Sequence, residues 1–129
     1  MKYLVFILMS VAIGCSKSTT EKKDPGLFTG MWIQVAYLAD PGDGSGTWQT
    51  DTIGGNYIIF YEDSSAKSSS IPYFGELKSY HVLSDSMLTL EYTDGSIFPK
   101  KYTLDKDTLT FFGGCIEPCG SKYLKAPTM

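Results

Sequence analysis

Along the chain, short apolar runs alternate with clusters of Gly, Asp, Asn, Ser and Pro, and most runs change character at every second residue. In residues 86–92, Leu88, Leu90 and Tyr92 share one side against Thr89 and Glu91. Leu109 and Phe111 oppose Thr108 and Thr110 in the same way, as Tyr102 and Leu104 oppose Lys101 and Thr103. A period of two marks a half-buried strand, because successive side chains leave a strand on opposite faces. The pattern predicts strands over residues 29–39, 56–62, 77–83, 86–92, 97–104, 108–112 and 122–125, with a less regular run over 68–74. Thr93-Asp94-Gly95 and Asp105-Lys106-Asp107 read as tight connections between strands, Asp-Gly being a strong hairpin signal. In residues 56–62 both faces are apolar: Tyr57, Ile59 and Tyr61 on one, Ile58 and Phe60 on the other. Such a strand is covered on both sides or lines a cavity. Seven to eight short strands in meander order, without a crossover helix, predict an all-β fold. The expected form is a small antiparallel up-and-down β-barrel of about eight strands, with a β-sandwich as the alternative.

Two stretches do not follow the alternation. Residues 3–13 form an almost unbroken apolar run after Met1-Lys2, ending at Gly14-Cys15. A membrane-spanning helix needs about 20 apolar residues, so this run has the length of a signal-peptide core and is excluded from the fold. Ala12-Ile13-Gly14-Cys15 resembles the lipobox of bacterial lipoproteins, with Ala12 where Leu is usual. The resemblance implies that residues 1–14 are a signal peptide and that Cys15 is lipid-modified with a diacylglyceryl group and an N-acyl chain such as palmitate. Several acyl chains anchor stably where a single one binds reversibly. Residues 15–26 then read as a lipid-anchored flexible tether of polar residues, with a span of roughly 15 to 20 Å. Residues 27–129 are left as one domain.

The second exception is residues 40–55, rich in Gly and Asp. Long loops in compact domains tend to be functional or disordered. This one is either a lid with Trp48 as its apolar tip or a solvated loop with Trp48 tucked onto the barrel. Asp40, Asp43, Ser45 and Asp51 do not reproduce a calcium-loop spacing.

Composition narrows the function. The formal net charge is −3 and all 11 basic residues are Lys, which argues against nucleic acid, where clustered Arg is expected. With Cys15 set aside, Cys115 and Cys119 form an even pair in an exported protein, so a disulfide is the default reading and half of a metal site the rival. His81, the sole histidine, lies in a strand-like run without a nucleophile motif nearby. No phosphate loop or nucleophile elbow occurs, so neither an enzyme nor a cofactor nor a metal is expected.

Gly30-Met31-Trp32 resembles the Gly-x-Trp opening of the first strand in lipocalins and in lipocalin-like domains of bacterial lipoproteins. The resemblance implies that Gly30 and Trp32 close the barrel floor with a basic side chain from near the last strand, Lys122 or Lys125, packed across the Trp. It further implies a membrane-tethered protein binding a small hydrophobic or amphipathic ligand, with Trp48, Tyr57, Ile59, Tyr61 and Tyr80 as candidate walls or lid. The other expectation is an envelope accessory or inhibitor protein with a filled barrel that contacts another protein. Either would sit in the bacterial cell envelope, with the outer membrane the expected site.

Overall fold

A computed structural model of the chain describes residues 25–69, 75–113 and 119–128. The proposed signal peptide, Cys15 and most of the tether therefore lie outside the described residues, as do Cys115 and residues 70–74 of the predicted run 68–74. Among the described residues a short 3-10 helix, Pro25–Leu27, leads into nine strands: β1 Gly30–Ala39, β2 Thr47–Thr50, β3 Tyr57–Phe60, β4 Ala66–Ser68, β5 Leu77–Val82, β6 Met87–Tyr92, β7 Ile97–Asp105, β8 Thr108–Phe112 and β9 Gly120–Lys125. They form one antiparallel sheet in the order β4-β3-β1-β9-β8-β7-β6-β5, with β2 also paired to β1. The sheet curls so that β4 meets β5 through a Ser65–Ser79 bridge, and Tyr80 N donates to Ser64 O at 3.0 Å. The result is a nearly closed up-and-down barrel, and the sandwich alternative is set aside.

Nine strands fill only eight positions around the barrel. β3 pairs with the first half of β1 and β2 with its second half, on the same edge. Val35 O accepts from Asp51 N, and Gln34 N donates to Asn56 O, each at 2.9 Å, so residues 52–55 loop out between two halves of one broken strand. Part of the predicted long loop is thus strand β2. Its sequence Thr-Trp-Gln-Thr carries a single apolar residue, and all four of its residues are exposed.

The barrel has a foot, where β1 begins and β9 ends, and a rim at the opposite end. The foot is filled by aromatic side chains. Phe28 enters from below the first strand, its ring 5.0 Å from Tyr102, 5.8 Å from Phe60 and 6.2 Å from Tyr80, all edge-on. Edge-to-face pairs match the positive ring edge to the negative ring face, each adding about 0.5 to 1.5 kcal/mol beyond burial. Trp32, Leu88 and Leu109 are fully buried above them. Every run with clean alternation puts its apolar members inside: Leu88, Leu90 and Tyr92; Tyr102; Leu109 and Phe111.

Candidate functional site

The floor assembles around β1. Gly30 faces Phe60 across the β1–β3 ladder, with a φ of +122° that disfavours any side chain. A β-carbon here would also lie 3.3 Å from Lys125 Cε. The Trp32 indole N–H donates to Phe28 O at 2.7 Å, tying the entry segment to the strand. Lys125 Nζ lies 5.5 Å from the Trp32 ring, the distance of a cation–π contact. Lys125, and not Lys122, takes the basic position. Trp32 pairs with Lys125 directly, whereas Lys122, three residues earlier on β9, faces outward opposite Ala36.

Lys122 instead covers Trp48, with Nζ 4.5 Å from its ring. Trp48 pairs with Leu38 on the outside of the barrel, stacks edge-on with Phe112 at 6.2 Å and packs over Gly120, where a β-carbon would meet the indole at 3.0 Å. It is held against the outer wall and is not the tip of a lid. The turn before it is tied down locally, since the Asp40 carboxylate accepts from the N–H groups of Gly42, Gly44 and Gly46 at 2.7 to 3.2 Å. These bonds hold the Asp40 carboxyl below its usual pKa, that from Gly42 most of all.

The expected ligand wall does not converge either. Trp32 pairs with Ile58 and Gly30 with Phe60, which turns Ile58 and Phe60 inward and leaves Tyr57 and Ile59 on the outer face. Tyr61 follows β3 and is exposed, its carbonyl accepting from Tyr80 Oη at 3.1 Å. Tyr80 does face inward, but within the packed foot, 4.7 Å from Phe60. Trp48 and Tyr80 are therefore separated by the wall itself.

The interior also holds polar groups. Gln34 is the cross-strand partner of the buried Tyr123, and Lys100 is that of Leu88. Burial lowers the Lys100 pKa, and its Nζ donates to Gly113 O at 2.8 Å. Burial also pushes the Tyr123 hydroxyl up to about 12, partly offset by a hydrogen bond with Ser121. Tyr123 then remains neutral in the folded chain while its unfolded counterpart ionises near 10. Its contribution is complete below pH 10 and is lost as pH rises toward 12, at up to about 1.4 kcal/mol per pH unit. Urea unfolding of the wild type should therefore weaken by about 2 kcal/mol more than that of Tyr123→Phe between pH 10 and 12. Parallel curves for the two proteins would remove this role.

A polar cleft lies outside, on β5 and β6, three and four positions around the barrel from β1. It encloses about 560 Å³ beside Asp63, Ser65, Lys78, His81, Thr89 and Glu91. Lys78 Nζ donates to Glu91 Oε1 at 2.8 Å and Ser79 Oγ to Oε2 at 2.9 Å, and these bonds, that of Lys78 first, lower the Glu91 pKa. Ser65 closes on Asp63 through both its hydroxyl, at 2.6 Å, and its backbone N–H, at 2.9 Å. His81 pairs with Thr89 on the same outward face. The cleft presents both signs of charge on side chains already fixed by internal bonds, which suits recognition of a polar surface. The sequence hid it because its members come from two turns' distance apart and each looks like ordinary strand-surface polarity.

Among the described residues no group of three or more His, Cys, Asp or Glu side chains is placed to hold a metal. Cys119 is disulfide-bonded. Comparison of the chain with protein-family models, with curated proteins and with solved structures finds no match.

Proposed function

We propose that this chain is a lipid-anchored protein of the bacterial envelope, lipocalin-like in build, that acts through the outside of its barrel on a protein partner and is not a carrier of small molecules. Cys15 supplies the anchor in this reading, the outer membrane is the expected site, and a Cys115–Cys119 disulfide belongs to the same exported setting. The observation that carries it is the filled foot: Phe28, Trp32, Phe60, Leu88 and Leu109 occupy the space that a ligand would need. A barrel of eight positions is small enough to be filled by its own side chains. The groove beside Asp63, Lys78, His81 and Glu91 offers the contact surface, and its internal bonds reduce the ordering cost of binding. Titration with an apolar naphthylamine dye should give no saturable binding, and a photocrosslinking residue in place of Thr89 should yield a discrete protein adduct in intact envelopes. Saturable dye binding with one site per chain, displaced by fatty acid, would return the carrier reading to first place.

A further inference from the structure

The outward rows of β1 and its neighbours differ from the rest of the surface. Cross-strand partners share a face, so these rows follow from the register. Nearest the foot, Met31 and Ile59 lie beside Lys67, and above them Ile33 sits between Tyr57 and Leu124. Toward the rim come Lys122, then Leu38 with Trp48. Met31, Ile33, Trp48 and Leu124 are 38 to 44% exposed, far more than core side chains. No carboxylate stands at any of these positions, although the chain has 14 acidic residues against 11 basic ones. Aliphatic groups, a Tyr, a Trp and Lys without Asp or Glu are the composition of a surface that meets a bilayer. The rings suit the headgroup level, and lysines can lay their stems on apolar surface while reaching phosphate.

The position of the chain entry agrees. Nine residues separate Cys15 from Pro25, and Pro25 lies just before the foot of this same wall. The tether read from the sequence has a length that would span roughly 15 to 20 Å, so in the anchored reading the anchor would hold the foot of β1 close to the headgroups. We infer that the wall formed by β1, β2, β3 and β9 seats on the membrane surface, so that the barrel lies on its side with the polar groove of β5 and β6 turned away from the lipid. The inference rests on the anchored reading above. It adds an orientation: the groove, three to four positions around the barrel from β1, is the part left open to a partner.

The test uses the full-length protein purified from its own envelope and reconstituted into vesicles of phosphatidylglycerol and phosphatidylcholine brominated on its acyl chains. Bromine quenches at contact range, and Trp48 is a native reporter on the wall while Trp32 is enclosed. The expected result is loss of most of the Trp48 emission, identified by difference from Trp48→Phe. Ile33→Glu with Leu124→Glu should restore that emission while the protein still floats with the vesicles. Ile97→Glu, an exposed apolar position on β7 beside the groove, should change nothing. Floating protein whose Trp48 is not quenched overturns the seated wall and leaves the anchor standing, as does quenching that survives the double Glu variant. Intact mass at Cys15 scores the anchor separately: an unmodified Cys15 with Trp48 still quenched keeps the wall and removes the anchor, and one with no quenching removes both.

Discussion

Trp32→Ala is expected to destabilise the domain by about 3 to 5 kcal/mol, the range for truncating a buried aromatic. The upper part of that range applies, because two losses coincide. The ring is fully buried and is the surface on which Lys125 rests. Its N–H is also the donor to Phe28 O at 2.7 Å, so truncation leaves a buried carbonyl without that bond. Small domains are stable by about 5 to 15 kcal/mol, so the variant should keep a small fraction of the urea resistance of the parent. Trp32→Phe should recover part of the packing but not the hydrogen bond. Trp48→Ala is the contrast. Its indole packs on the outside of the barrel, half exposed, and its loss should cost about 1 kcal/mol or less. Urea midpoints read by far-ultraviolet circular dichroism at constant m separate the two, and equal losses would contradict the interior and exterior assignments.

Phe28→Ala should be nearly as damaging, by about 3 to 5 kcal/mol, although the residue belongs to no strand. Its ring is enclosed by Phe60, Tyr80 and Tyr102 at 5.0 to 6.2 Å. Those three come from β3, β5 and β7, which are not neighbours in the sheet, so Phe28 joins parts of the barrel that no ladder links directly. The cavity left by truncation lies beside rigid ring edges and cannot collapse easily, which puts the expected loss in melting temperature at roughly 10 to 25 °C. Differential scanning calorimetry measures it. A loss below about 2 °C would mean that the entry segment does not plug the foot.

These variants separate what each level of description contributed. The alternating runs ending at Tyr92, Leu104 and Phe112 were legible because one face was apolar and the other polar; their inward members follow from the period of two alone. The turn at Asp94-Gly95 was legible for a local reason as well: Gly95 has a φ of +88°, and Ser96 N donates to the Asp94 carboxylate at 2.8 Å. The floor position of Gly30 and Trp32 was an implication of the Gly-x-Trp resemblance and not of any spacing in the chain. Strand β2 was not found, since its four residues are exposed and hold one apolar side chain, so no hydrophobic alternation marks them.

What the chain determined by itself is the all-β character, most of the strand limits, and the side on which each clean strand carries its apolar residues. Tertiary structure decided the rest. Residues 57–61 are apolar on both faces, and a period of two says which side chains share a face without saying which face is inward. That choice came from β1, which pairs Trp32 with Ile58 and so sends Tyr57 and Ile59 outside. The choice between Lys122 and Lys125 came from the pairing of β1 with β9, which sets Lys125 opposite the inward Trp32; Lys122, three residues earlier on the same unbroken strand, then faces out. Both decisions depend on residues distant along the chain meeting in one register, since a slip of one residue would carry the whole buried set to the outer face, and no local window of sequence contains that pairing.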